Sequence, residues 1–303
     1  MIGPDSATID RGLGALLGLA VGDALGTTLE FSARDSGPPL TDMVGGGPFS
    51  LEPGQWTDDT AMALALAETL AGHDQFYPQA CMNRFVNWYR WGAHSCTGTC
   101  FDIGITTRTA IEVAEETGEP FSGPTHSRSA GNGSLMRLSP LALWGWDRDA
   151  ALVARVARDQ SRLTHGADEC LAACEGFAAL LVRAIRGEPK ATLLAPQQVD
   201  APRAVAEIFG GAWQEKARSQ IRSSGYVVHS LEAALWCVGN SDGFDEAVLL
   251  AANLGDDADT VAAITGQLAG AVYGAGAIPA PWRARLAWWD EISAVGLRLL
   301  TER

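Results

Sequence analysis

Apolar residues recur at helical spacing along nearly the whole chain. Met62, Ala65, Leu66 and Leu70 follow a 3.6-residue period, as do Leu171, Cys174, Ala178, Leu181 and Val182, and then Val261, Ile264, Leu268, Ala271 and Val272. Sustained alternation of Val, Ile and Thr between hairpin turns is absent. The pattern predicts an all-α protein. Short glycine clusters lie between the helices: Gly45-Gly46-Gly47, Gly131-Asn132-Gly133 and Gly210-Gly211. Such clusters let a backbone turn sharply, close a helix or approach a ligand. Gly187 to Pro202 reads as a surface loop, and no internal repeat or low-complexity tract interrupts the chain.

Composition narrows this picture. A chain of 303 residues buries roughly three quarters of its extended surface on folding. Its 47% hydrophobic content is spread evenly, without a Pro/Ser-rich or charged linker, so one domain over 1–303 is expected. A net charge of −14 repels phosphate backbones and anionic lipid heads, which disfavours nucleic acid and membrane surfaces as partners. The six cysteines form no CxxC pair and are too few for a disulfide scaffold, which suits reduced thiols and the cytoplasm. The early apolar run Gly12 to Gly22 is too short to span a bilayer and has acidic flanks, so a soluble protein is expected.

Two acidic clusters carry the first chemical signal. Thr57-Asp58-Asp59-Thr60 precedes an apolar helix starting near Ala61, and Asp256-Asp257-Ala258-Asp259-Thr260 precedes another that runs through Tyr273. Taken singly, each is an adequate helix start, with Thr57 placed as an N-cap and carboxylates at the positive helix end. Taken together, they offer hard oxygen ligands of the kind Mg²⁺, Mn²⁺ or Ca²⁺ requires. Asp58, Asp59, Asp257 and Asp259 converging in a cleft would repel, and two divalent cations would neutralise them.

Other clusters argue less. His94, Cys96 and Cys100 lack a fourth zinc ligand, and Cys170 with Cys174 falls on a helical apolar pattern, so packing is the expected role. The tryptophan pairs Trp88/Trp91, Trp144/Trp146 and Trp288/Trp289 have no interleaved basic residues, and helix packing is expected of them too.

Seven motifs in order make the chain resemble the ADP-ribosylglycohydrolase family, and within it the bacterial enzymes similar to dinitrogenase reductase-activating glycohydrolase. They are Gly22-Asp23-Ala24-Leu25-Gly26 with Glu30, Thr57-Asp58-Asp59-Thr60, Phe101-Asp102-Ile103-Gly104, Ser129 to Arg137, Leu163-Thr164-His165, Ser224 to Val228, and Asp257-Ala258-Asp259-Thr260. The resemblance runs from Arg11 to about Trp282. It implies one orthogonally packed multi-helix domain with a dinuclear Mg²⁺ or Mn²⁺ cleft. Thr57, Asp58 and Asp59 would be ligands from one side, and Asp257, Asp259 and Thr260 from the other. Asp256 stands where the family often has glycine, so it either joins the outer shell or faces solvent.

The implied reaction is hydrolysis of the glycosidic bond between ADP-ribose and a modified protein side chain, arginine first, through an oxocarbenium-like transition state. Asp102 would be the base or the carboxylate holding the leaving guanidinium, unless it merely caps the helix after it. Glu30 would stand beside the scissile bond. Gly131, Asn132, Gly133 and Ser134 would open a helix through Met136 and cradle pyrophosphate oxygens. His165 would hydrogen-bond a phosphate or ribose oxygen, and Tyr226 would stack on adenine or ribose unless it is a core tyrosine. The partners are then an ADP-ribosylated protein and free ADP-ribose, with nucleic acid only as a modified substrate and a monomer as the working unit. Serine-linked, O-acetylated, polymeric and nucleic-acid-linked ADP-ribose remain alternatives. So does a non-catalytic binding, immunity or structural role, because fold alone does not assure catalysis.

Overall fold

The computed structural model describes residues 3–302. Fourteen α-helices follow one another in it, and no strand forms among the described residues. They are α1 (Ser6–Gly26), α2 (Asp58–Leu70), α3 (Pro78–Trp91), α4 (Ile105–Thr117), α5 (Ser139–Trp144), α6 (Ala150–Arg162) and α7 (Asp168–Ile185). The rest are α8 (Lys190–Leu193), α9 (Arg203–Phe209), α10 (Val227–Gly239), α11 (Phe244–Ala252), α12 (Ala258–Tyr273), α13 (Ala280–Arg285) and α14 (Trp289–Thr301). The all-α expectation holds.

At the centre, α1 and α12 run antiparallel with their backbones in contact. Gly14, Gly18, Gly22 and Gly26 form a stripe at every fourth position, one face of the helix. A Cβ built on Gly14 would lie 2.2 Å from the Gly270 carbonyl, on Gly18 2.2 Å from that of Gly266, and on Gly22 2.1 Å from that of Ala262. Any side chain there would hold the helices apart. From Gly14 to Gly26 in α1 and from Ala258 to Ala271 in α12 the remaining faces are also buried, as expected of helical stretches that are apolar nearly all round. Ser6–Leu29 accordingly has the length and hydropathy of a membrane span, yet 83% of its apolar window is buried inside the fold. The helix is longer than the apolar run because Asp5 starts it early, accepting from the Thr8 amide at 2.7 Å.

Three local expectations are corrected. The loop from Gly187 to Pro202 contains α8, one turn anchored by amides of Thr192 and Leu193 on the Pro189 carbonyl, with Leu193 sunk into the core. Gly131 to Met136 is a turn rather than a helix. Leu135 and Met136 both donate to the Asn132 carbonyl, and α5 begins only at Ser139, with Pro140 in its first turn. The tryptophans divide: Trp88 and Trp144 are buried, whereas Trp91 is 79% exposed.

Candidate active site

The first acidic cluster begins α2 at Asp58, three residues before the expected start. Thr57 is the N-cap residue by position, but its side chain makes no cap. Asp23 from α1 does so instead. Its Oδ1 accepts from the Thr57 amide (2.9 Å) and hydroxyl (2.8 Å), and its Oδ2 from the Thr60 amide (3.0 Å) and hydroxyl (2.7 Å). All four bonds are buried. Asp23 is thus a site residue that sequence reasoning left as part of a motif. The available signal was one carboxylate at the end of the apolar run from Gly12 to Gly26, which must be satisfied once buried.

The second cluster opens α12 and meets the first through the α1–α12 contact. Thr57 Oγ1 stands 3.2 Å from Asp59 Oδ2 and 3.3 Å from Asp259 Oδ2, and Thr260 Oγ1 lies 3.5 Å from Asp59 Oδ2. One oxygen from each of Asp23, Asp59 and Asp259 falls within 4.8 Å of the other two. Asp102 and Glu30 form a second such group with Asp259. Asp102 is distant from both acidic clusters in sequence, but its carboxyl joins Asp259 of the second in space. It adopts a left-handed backbone (φ 59°), a conformation aspartate tolerates better than most residues, and Gly104 rather than Asp102 caps α4.

Part of this cluster faces a cavity of about 460 Å³, within the range of small-molecule sites. Glu30, Asp58, Asp102, Asp257 and Thr260 supply its oxygens, and Gly131, Asn132, Gly133, His165 and Gly225 face them. Asn132 Nδ2 donates to Asp257 Oδ2 at 2.6 Å, joining the glycine turn to the second cluster. The amides of Gly131 and Asn132 are already engaged by the carbonyls of Ser129 and Gly225. Ser134 turns away, its hydroxyl accepting from Ser161 at 2.8 Å in the core. Tyr226 is half-buried beside this wall, its ring edge-on to His229 and its hydroxyl donating to Glu169 at 2.8 Å. Asp256 faces solvent. His94 lies 3.5 Å from Glu68, and Cys96 donates to the Trp56 carbonyl at 3.3 Å.

The electrostatics fit a cation-binding function. Burial, then mutual repulsion, raises the carboxyls of Asp58, Asp59 and Asp259 well above the usual range. Burial also pushes Asp102 up to about 7, and burial with the neighbouring Asp102 charge pushes Glu30 up to about 9. Asp59 Oδ1 and Glu30 Oε2 are buried without any hydrogen-bond donor. The single proton of Thr57 Oγ1 cannot serve three carboxylate oxygens. Crowded hard oxygens short of donors are what divalent cations bind, so the residues suit such ions. His165 is driven the other way, to about 3, by burial and by buried Arg137, and is therefore neutral at ordinary pH.

Comparison with known proteins agrees with this geometry. The sequence pattern of the ADP-ribosylglycohydrolase family matches residues 4–303. The chain is 46% identical to the ADP-ribosylarginine hydrolase Tri1 of Serratia proteamaculans (98% of this chain, 80% of that protein) and 48% identical to that of Pseudomonas putida (98% and 79%). It is 34% identical to the ADP-ribosyl-[dinitrogen reductase] glycohydrolase of Rhodospirillum rubrum (94% and 92%). A solved ADP-ribosylglycohydrolase-related protein complex superposes with a TM-score of 0.87 at 42% identity, over 98% of this chain and 99% of that one. Fold, carboxylate cluster and sequence together place the chain in the ADP-ribosylglycohydrolase family.

Proposed function

We propose that this enzyme releases ADP-ribose from modified arginine side chains of proteins, using two divalent cations, Mg²⁺ or Mn²⁺. The observation that carries the reading is the clustering of carboxylates at one cavity: Glu30, Asp58, Asp102 and Asp257 line it, and the buried Asp259 joins Glu30 and Asp102 to Asp23 and Asp59. The two relatives named for ADP-ribosylarginine support the linkage. Thr57, Asp58, Asp59, Asp257, Asp259 and Thr260 would hold the ions. Bound there, the ions would act as Lewis acids and as a template for water and ribose hydroxyls.

The protein's own groups do the rest. Asp102, at the junction of the cluster and the open cavity, accepts a proton from the attacking water or holds the leaving guanidinium. Glu30 stands beside it, with one oxygen of each within 4.8 Å of the other and of Asp259. His165 contributes as a neutral donor. Its Nδ1 lies 2.9 Å from the Thr164 hydroxyl and its Nε2 lies beside Gly131 and Gly133; in the tautomer in which that hydroxyl donates, the ring proton is on Nε2. Pyrophosphate then falls to the unengaged amides of the glycine turn. The six free thiols suit a reducing compartment such as the cytoplasm.

The deciding experiment measures ADP-ribose release from arginine-, serine- and nucleic-acid-linked conjugates after EDTA treatment, with and without added Mg²⁺ or Mn²⁺. Metal-restored release from the arginine conjugate is expected. Equal or better release from another linkage, or full activity in EDTA, overturns the assignment.

A further inference from the structure

Glu30 reaches the carboxylate cluster from a short arm, residues 30–35, that leaves the end of α1. The arm does not hang free. The Phe31 amide donates to the Asp256 carbonyl at 2.7 Å, and the Asp256 amide donates back to the Ser32 carbonyl at 2.8 Å. Phe31 and Asp256 both hold left-handed backbones (φ 57° and 53°), which persist in non-glycine residues only where surroundings impose them. Gly255 lets the two strands of chain meet: a Cβ there would lie 2.7 Å from the Ser32 carbonyl.

Arg34 closes this junction. Its guanidinium donates to three carbonyls on two other segments: Leu254 (2.9 Å), Arg218 (2.7 Å) and Ile221 (2.7 Å). Arg218 in turn grips Asp35 with two bonds of 2.8 and 2.9 Å. Ser223 ties the second segment to the third, donating to the Gly255 carbonyl at 2.7 Å, while the Asp257 amide donates to the Ser223 carbonyl. Segments 30–35, 218–223 and 254–257 therefore share one charged fork. They carry Glu30, the approach to Gly225, and Asp257, which are three parts of the cavity wall.

We propose that Arg34 is a positioning residue that latches the Glu30 arm onto the segments that already hold Asp257, making the arm a fixed wall of the cleft, and Glu30 a fixed group in it, rather than a swinging gate. The role suits arginine alone, because a lysine ammonium lacks the planar fork needed to reach three diverging carbonyls. The inference deepens the proposed function and rests on Glu30 belonging to the reacting machinery.

The test compares wild type, Arg34→Lys, Glu30→Gln and the double variant, by ADP-ribose release from the arginine conjugate and by limited proteolysis of the arm. Misplacement of a reacting group by about 1 Å costs up to about 10²-fold in rate. Arg34→Lys is therefore expected to lower kcat by about ten- to a hundredfold with little change in KM, and to speed cleavage within the arm. Added to Glu30→Gln, it should change kcat less than about twofold, since both act through one group. An equal loss in both backgrounds, or an unchanged rate and cleavage, overturns the proposal. If Arg34→Lys does not fold, Asp35→Asn, which frees the arm from Arg218 at the surface, should show the same pattern more weakly, and its absence is equally decisive against. A wild type that releases nothing refutes the proposed function, while the cleavage comparison still judges the latch.

Discussion

The carboxylate of Asp23 and the hydroxyl of Thr57 meet at 2.8 Å, across 34 positions of sequence, and through this bond one helix sets the start of another. Asp23 supplies the cap that α2 lacks from its own N-cap side chain. It does so from a position held by the α1–α12 backbone contact. The acidic first turn of α2 is thereby referenced to the closely packed α1–α12 pair.

Replacing Asp23 with asparagine would set an amide donor against hydroxyls and amides that already donate. Each unsatisfied buried donor costs about 1–3 kcal/mol. Asp23→Asn should lower the urea midpoint markedly and weaken Mn²⁺ binding in calorimetric titration. Retention of both would show that α2 needs no outside cap.

Asp102→Asn keeps size and removes the proton acceptor. General acid–base groups contribute about 10² to 10⁴ in rate, and a loss of that order in kcat is expected with metal content maintained. Metal analysis of the purified variant separates this from ligand loss: a stoichiometric drop in bound Mn²⁺ would make Asp102 a ligand.

A methyl on Gly133 would lie 2.7 Å from His165 Cε1. Because His165 is buried and bonded to Thr164, it cannot yield without moving the wall. Gly133→Ala should cost about 1–3 kcal/mol as overpacking does. It should also weaken ADP-ribose binding, which titration of the folded variant can measure. Unchanged affinity would remove the glycine turn from the ligand site.

Metal removal should expose a pH dependence. Glu30 titrates at about 9 in the fold against an ordinary 4.5, and Asp102 at about 7 against 3.8. The folded chain thus binds more protons than the unfolded chain between about pH 4 and 9, so stability must fall as pH rises through that window. Metal-stripped protein should melt lower at pH 8.5 than at pH 6, and Mn²⁺ should reverse the difference. A flat profile without metal would mean that the carboxylates are not crowded in solution.

Tyr226 offers a separate check on binding. Stacking is worth about 1 to 3 kcal/mol per base, or roughly five- to a hundredfold in affinity. Tyr226→Ala should raise KM and weaken ADP-ribose binding by that factor with kcat less affected, while Tyr226→Phe, which loses only the bond to Glu169, keeps most of it. A large fall in melting temperature with unchanged affinity would make Tyr226 a core residue.

The helices and both acidic clusters were legible in sequence because their signals are local: a 3.6-residue period, and carboxylates where a helix begins. What was not legible depends on long-range pairing. Asp23 reads as one charge in an apolar run until α2 is seen against it. Ser134 shares a motif with Gly133, yet the turn directs one toward the cavity and the other toward Ser161. Arg34 bonds only to carbonyls, which no residue type announces.

The glycine stripe has a mechanical consequence. Where two helices touch through side chains, rotamers absorb small errors in spacing; where they touch through carbonyls and Cα atoms, nothing is compliant. Gly14 sits nine residues before Asp23, about 13 Å along the axis. A single methyl at Gly14 would act on the pair as a wedge acts on a lever, with its fulcrum in the stripe and its displacement expressed at the carboxylates. The calibration of the site therefore lies partly in residues that have no side chain and never approach the substrate.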